Sequence, residues 1–322
     1  MSDDKKNEMS EEDYLKKHLG NTDNNNEPPI NSDIPVSGNN SDIGNVKVET
    51  STRTNDLHYF NFDVKELPCG NFYPKGTLFM VRPAEVKEIQ AYSMVDDKNF
   101  YDIVEKMNGM LQSCVRVKYP DGKVASYLDI KDQDRLFLIF LIRELTFQQG
   151  NSLSVNTQCG CGEELQVELK RDNFVFHEID DTLIDYFDQH SNSYKFTITN
   201  GKTFELTPPN IGLQKAFTDY IVKENREGRN PNLSFLKIIP FMLSGRTTIT
   251  QEGIKAKLKE FESMDDVSFQ FLNSAVGKMT FGIKELKKTC QCGEEIRTDM
   301  QFPRGASGIF VIHDAFEAYI KK

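Results

Sequence analysis

A cysteine motif occurs twice in this chain, and the repetition constrains the fold more than any other feature. Cys159–Leu165 reads CGCGEEL, and Cys290–Ile296 reads CQCGEEI. In each copy one residue separates two cysteines, and the glycine that follows allows the chain to turn. An alternating apolar pattern typical of a strand comes after each copy. We therefore predict that both copies lie in cysteine-bearing hairpins.

The similarity extends upstream of the motifs and predicts a tandem duplication. A helix-like block precedes each motif, from Asp132 to Phe147 in the first half and from Asp266 to Phe281 in the second. Further upstream, each half has a strand-like segment that ends at a proline and is followed by a helical pattern. Because helices and strands are mixed without long βαβ alternation, the predicted fold class is α+β.

These patterns divide the chain into consecutive segments. We predict a disordered acidic tail (1–55), a first repeat unit (56–176), a connecting helix (177–193), a second repeat unit (194–302) and a C-terminal helix (303–322). The tail is rich in Asp, Glu and Asn and has few apolar residues. Such a segment cannot bury enough apolar surface to offset the entropy of ordering its chain.

Within the tail, Ser10–Gly20 begins like a capping box and carries apolar residues at helical spacing. One interpretation is a nascent helix without consequence, because isolated helices of this length are marginal in water. The other is a recognition helix on a flexible tether, which would contact a partner protein through Tyr14, Leu15 and Leu19.

The paired cysteines predict a metal site. The chain has six cysteines, and no apolar block near its N-terminus suggests a secretory signal, so metal binding is favoured over disulfides. Zinc prefers four nitrogen or sulfur ligands in a tetrahedron, and each motif supplies two. We predict one structural zinc per chain, bound by Cys159, Cys161, Cys290 and Cys292. Four reduced thiols or a vicinal redox pair are the alternatives.

The net charge and the absence of several known motifs reduce the number of function classes that fit this chain. The chain has 39 Lys and Arg against 49 Asp and Glu, which argues against binding to nucleic acid or anionic membranes. The longest apolar run, Leu136–Ile142, is far shorter than the roughly 18 residues of a membrane span. Phosphate-binding loops, dinucleotide-binding loops, zinc-protease motifs and serine-hydrolase motifs are absent. We therefore predict a binding or assembly protein, not an enzyme.

The stretch Phe62–Gly76, FDVKELPCGNFYPKG, resembles the opening of a family of tailed-phage baseplate proteins. In that family a Leu-Pro and a glycine precede Phe-Tyr-Pro. A strand ending in Arg-Pro, a helix, an Asp-led helix with an arginine and a cysteine hairpin follow, matched here by Val81–Pro83, Val86–Ile89, Asp129–Arg143 and Cys159–Leu169. The family's cysteine pairs commonly have two intervening residues, whereas each pair here has one.

This family includes baseplate hub proteins and hub assembly factors of T4-like phages. The resemblance implies a phage tail protein that builds the baseplate hub or forms part of it. Its partners would be other tail and baseplate proteins, either in the host cytoplasm during assembly or in the virion baseplate. The alternative from another class is a zinc-ribbon-type nucleic-acid-binding regulator, which the acidic charge disfavours, and a thiol redox enzyme is a third.

The aromatic residues of the resembling stretch have two interpretations. The prolines on either side fix the backbone and the glycines permit turns, so Phe72 and Tyr73 are presented from a rigid loop. Their rings could fill the core or form a contact surface.

Overall fold

The structure is a computed structural model that describes residues 59–147, 153–300 and 305–310. The predicted tail (1–55), with the partner contacts predicted at Tyr14, Leu15 and Leu19, lies outside the described residues. So does most of the predicted C-terminal helix (303–322).

The fold is α+β, as predicted. The described helices are α1 (Val86–Ser93), α2 (Phe100–Cys114), α3 (Arg135–Thr146), α4 (Asp181–Ile184), α5 (Ile211–Arg226), α6 (Leu233–Ile238), α7 (Gln251–Glu262) and α8 (Asp266–Lys278). The described strands are β1 (Phe60–Asp63), β2 (Leu78–Val81), β3 (Val115–Lys118), β4 (Val124–Ala125), β5 (Ser154–Gln158), β6 (Glu164–Glu168), β7 (Phe174–Phe176), β8 (Phe187–Asp188), β9 (Ser193–Thr197), β10 (Thr203–Leu206), β11 (Ile283–Thr289) and β12 (Glu295–Thr298). Short 3-10 helices lie between several of them.

The strands form small antiparallel sheets that join the two halves of the chain. Their orders are β1-β2-β3-β4, β10-β9-β8 and β12-β11-β7, and β5 pairs with β6 as a separate hairpin. Strand β7 belongs to the predicted first unit, yet it pairs with β11 of the predicted second unit. A continuous hydrophobic core contains buried side chains from both halves. The two units are therefore fused through a shared sheet and core, and their origin by duplication stays a prediction.

The structure corrects the predicted connecting helix over 177–193. Only Asp181–Ile184 is helical there, in a single turn that begins where the Asp180 side chain accepts a hydrogen bond from the Thr182 N–H. The chain then enters β8, which pairs with β9. The Phe187 ring packs edge-on against other aromatic rings in the core. This tertiary contact outweighs the helical spacing of the apolar residues.

The stretch Phe62–Gly76 contributes side chains to the hydrophobic core. Phe72 and Tyr73 are buried, and the Phe72 ring contacts Phe187, Tyr194 and Phe281 at ring-centroid distances of 5.1 to 5.6 Å. A Cβ at Gly70 would lie 2.2 Å from the Val64 carbonyl oxygen, so only glycine fits that position. The rings therefore fill the core, which decides between the two interpretations offered by the sequence.

A buried carboxylate holds this loop in place. The Tyr73 hydroxyl donates a hydrogen bond of 2.7 Å to Asp134, and the Cys69 N–H donates one of 2.8 Å. The same hydroxyl accepts a 2.7 Å hydrogen bond from the Lys131 N–H. Burial raises the pKa of Asp134 to about 6, although both hydrogen bonds favour the charged form. The carboxyl thus ties the loop to the start of α3.

We predict that Tyr73→Phe lowers the free energy of unfolding by about 1–3 kcal/mol, because it leaves buried groups of Asp134 and Lys131 without a partner. Urea denaturation measures the change. Tyr186→Phe is the matched control, since the Tyr186 side chain is exposed and should tolerate loss of its hydroxyl. Equal effects of the two substitutions would contradict the role assigned to Tyr73.

A second prediction concerns pH. Burial raises the pKa of Asp134 from its ordinary value of 3.8 to about 6 in the folded state, so between these pH values the folded state binds more protons than the unfolded state. This contribution to stability is present below pH 4 and is lost as pH rises through about 6, by up to about 3 kcal/mol. The stability of the wild type relative to Asp134→Asn should fall over that window and stay level above it. If the free energies of unfolding of the wild type and of Asp134→Asn, measured in urea, change in parallel across this pH range, the assignment is wrong.

Candidate metal centre

The two cysteine motifs form the tips of two β-hairpins with the same local geometry. The Gly162 N–H donates to the Cys159 carbonyl oxygen at 2.9 Å, and the Gly293 N–H donates to the Cys290 carbonyl oxygen at 2.9 Å. The φ angles of these glycines are +93° and +89°. That region favours glycine, since a side chain there meets the backbone. The glycine of each motif thus closes the turn that presents both cysteines.

The hairpins bring the four predicted ligands together. The Sγ atoms of Cys159, Cys161, Cys290 and Cys292 all lie within 4.8 Å of one another. Two of these contacts join the hairpins, at 3.6 Å between Cys159 and Cys292 and 3.7 Å between Cys161 and Cys290. A tetrahedral zinc ion with bonds of about 2.3 Å places its sulfur ligands about 3.8 Å apart. The cluster therefore has the size that a tetrahedral metal ion requires.

Each hairpin supplies one inner and one outer cysteine. Cys159 and Cys290 are buried, whereas Cys161 and Cys292 are exposed. One intervening residue is enough for this arrangement because neither hairpin has to surround the ion by itself. The remaining cysteines, Cys69 and Cys114, lie buried elsewhere and take no part in the cluster.

Two glutamates each contact a cysteine of the opposite hairpin. The sequence analysis did not predict these contacts. Glu163 Oε2 lies 3.0 Å from Cys290 Sγ, and Glu294 Oε2 lies 3.2 Å from Cys159 Sγ. Each follows the second cysteine of its own motif by two residues and reaches the inner cysteine of the other hairpin. Their equal positions in the two motifs are the one sequence signal that could have indicated the exchange.

The carboxylates influence the thiols in the absence of a metal ion. The hydrogen bond to Glu163 raises the pKa of Cys290. For Cys159 the Cys161 N–H lowers the pKa, but burial and hydrogen bonds to Cys161 and Glu294 outweigh it and raise the value to about 11. The Glu163 N–H lowers the pKa of Cys161. A metal ion that binds the inner cysteines must therefore displace their protons.

Few other contacts hold the hairpin tips together. Leu165 and Ile296 form a small apolar cluster with the inner cysteines, separate from the main core. Burial of one such side chain stabilises by about 1.5–3 kcal/mol. The Lys288 ammonium also donates to the Gln166 carbonyl oxygen at 2.7 Å. A metal ion here would link cysteines 129 to 133 positions apart in the chain, and would close a long loop.

Four thiolates complete a tetrahedron and leave no coordination position for water or substrate. Catalytic zinc sites usually keep such a position open, whereas structural sites close it. A metal ion bound by all four thiolates would therefore cross-link the two hairpins.

Among the described residues, no helix is both long enough and apolar enough to span a membrane. Comparisons with family models, with curated proteins and with solved structures found no match to this chain. The four-cysteine cluster could hold a metal ion.

Proposed function

We propose that this chain is a non-enzymatic assembly protein in which one structural zinc ion, bound by Cys159, Cys161, Cys290 and Cys292, joins the two hairpins. The convergence of four Sγ atoms within 4.8 Å carries the proposal. Thiolate donors in a tetrahedral arrangement suit zinc or iron–sulfur chemistry, and zinc has no redox activity. A closed, redox-inactive centre is suited to stabilising a surface on which other proteins assemble.

The electrostatics of the centre favour assembly over nucleic-acid binding. Four thiolates around a divalent ion carry a net charge of about −2, and the neighbouring carboxylates of Glu163 and Glu294 add to it. On the second hairpin, Arg297 pairs with Glu285 and Glu295, which neutralises its charge locally. A phosphate backbone would meet net negative charge at this tip.

The biological setting follows from the resemblance of Phe62–Gly76 to phage baseplate proteins. We place the chain in the baseplate hub of a phage tail, as a component or as an assembly factor. Its partners are other tail and baseplate proteins, met in the host cytoplasm during assembly. Because Phe72 and Tyr73 are buried in the core, partner proteins must contact other surfaces of the chain. The apolar residues of the tail, Tyr14, Leu15 and Leu19, are one such candidate.

The purified full-length chain should contain about one zinc ion per chain. Cys159→Ser should abolish zinc binding and lower the midpoint of urea unfolding, because three thiolates no longer close the site. Elemental analysis and denaturation measure both effects. Cys114→Ser is the matched control, since this buried cysteine lies against Glu88 and Met110, outside the cluster, and should keep the zinc. A well-folded wild-type chain without metal would exclude the zinc proposal.

In a phage that lacks this protein, the wild-type chain and Cys114→Ser should restore infectious particles. Cys159→Ser and Cys290→Ser should restore few, since their hairpin tips are no longer joined. Mass spectrometry of purified virions then separates the two roles: a fixed copy number indicates a baseplate component, and absence indicates an assembly factor. Full complementation by both cysteine variants would show that the metal centre is dispensable for assembly.

A further inference from the structure

A small open cavity of about 190 Å³ lies where the two halves of the chain meet. Tyr73 and Lys131 of the first half and Asn210 and Arg246 of the second are among the residues that line it. Sites for drug-sized ligands measure roughly 300 Å³ or more, so this cavity suits a smaller occupant. It shares no residue with the cysteine cluster, and the proposed function leaves it unexplained.

The cavity is lined by a lysine whose charge has no carboxylate partner. The Lys131 ammonium has three protons, and it donates to the Pro208 carbonyl oxygen at 3.0 Å and to the Thr207 hydroxyl at 3.3 Å. Both acceptors are neutral, and the ammonium forms no ion pair with any described residue. Burial lowers the pKa of Lys131 despite the acidic groups nearby, so water solvates this ammonium poorly. An anion in the cavity would stabilise the charge.

A second cation is held beside the cavity by its backbone. The Asn210 amide donates to the Arg246 carbonyl oxygen at 2.8 Å, and the Arg246 N–H donates to the Leu243 carbonyl oxygen at 3.1 Å. The next residue, Thr247, donates its hydroxyl proton to Asp129 at 2.7 Å. These bonds fix the turn, whereas the exposed Arg246 guanidinium forms no hydrogen bond or ion pair with any described residue. The guanidinium is therefore free to bind an anion.

The lining carries a net positive charge. Asp129 is the one carboxylate among the described residues that line the cavity, against the two cations Lys131 and Arg246. Both carboxylate oxygens of Asp129 already have donors, because one accepts from the Thr247 hydroxyl and the other from the Ser126 N–H at 3.0 Å. A partly enclosed lining with excess positive charge attracts anions.

Neutral groups complete the set of donors. The hydroxyls of Tyr119 and Ser244 and the side-chain amide of Asn192 line the cavity and form no hydrogen bond with any described residue. Burial raises the pKa of Tyr119 to about 12, so its hydroxyl keeps the proton that it can donate. A carboxylate has two acceptor oxygens, whereas a phosphate group has at least three strong ones. A donor set of this size therefore favours phosphate.

We propose that the cavity lined by Lys131 and Arg246 binds a phosphate group. The Lys131 ammonium contacts its oxygens from the first half of the chain and the Arg246 guanidinium from the second, and the neutral donors complete the shell. The bound phosphate links the two halves beside the β-bridge between Lys131 and Asn210. Inorganic phosphate and phosphate monoesters share this chemistry.

The test is isothermal titration calorimetry of the full-length protein with inorganic phosphate, in about 0.15 M sodium chloride to screen non-specific attraction. The wild type should bind one phosphate per chain in a saturable manner. Phosphate should also raise the midpoint of urea unfolding, because a ligand that binds only the folded state stabilises it. Acetate should bind at least several-fold more weakly, since it has a single charge and two oxygens.

Variants of the cavity sharpen the test. Arg246→Gln should weaken phosphate binding about tenfold or more, because it removes a charged donor. Arg226→Gln is the matched control: it removes the same charge at an exposed arginine of α5 that does not line the cavity, and it should leave the affinity unchanged. Lys131→Met keeps the aliphatic stem without the charge and should abolish binding. Circular dichroism shows whether each variant folds, and the two arginine variants decide the question if Lys131→Met does not.

Saturable binding that is weakened in Arg246→Gln and unchanged in Arg226→Gln supports the proposal. The absence of saturable binding, equal affinities of the two arginine variants, or equal affinities for phosphate and acetate would overturn it. Titration with glycerol phosphate distinguishes the two sources: tighter binding than that of inorganic phosphate assigns a phosphate monoester, and weaker binding assigns the free ion. None of these outcomes depends on zinc.

Discussion

The segment Ile130–Asp134, which leads into α3, holds the two halves of this protein together. Its backbone forms a bridge with the second half, where the Ile211 N–H donates to the Ile130 carbonyl oxygen and the Asp132 N–H donates to that of Pro209. Its side chains extend the same connection. The Gln133 amide donates to the Met279 carbonyl oxygen and accepts a hydrogen bond from the Phe281 N–H.

On its other side, the segment forms hydrogen bonds with the loop that contains Cys69 and Tyr73. Asp134 accepts hydrogen bonds from Cys69 and Tyr73, and Tyr73 accepts one from Lys131. Buried polar networks of this kind stabilise one arrangement when every member has a partner, and they are costly when one is removed. The loop, the bridge to the second half and the start of α3 therefore depend on one another.

This connection explains how two distant hairpins come to face each other. The β5–β6 hairpin follows α3, and the β11–β12 hairpin follows α8. Strand β7 pairs with β11 at the base, which fixes the distance between the hairpins before any ion binds. The core thus positions the cysteines, and the small apolar cluster at the tips adds a further contact between the hairpins.

Features that depend on a repeated local motif could be predicted from the sequence. Features that depend on contacts between residues far apart in the chain could not. The α+β class and two cysteine-bearing hairpins follow from motif spacing, and the four predicted ligands do lie together. The connecting helix was wrong because Phe187 packs against Phe72 and Tyr194, a contact that helical spacing cannot reveal. The role of Asp134 was not visible either, since its partners lie 61 and 65 positions away in the chain.

The division of the four cysteines between two distant hairpins determines when a metal centre could form. A zinc finger gathers its ligands locally, so the ion can direct folding from the start. Here each hairpin offers only two sulfurs, and the other two lie about 130 positions away. The complete site therefore exists only after the two hairpins have come together. An interaction formed after the folding transition state mainly slows unfolding. A metal ion bound at that stage should therefore slow the unfolding of an already folded core.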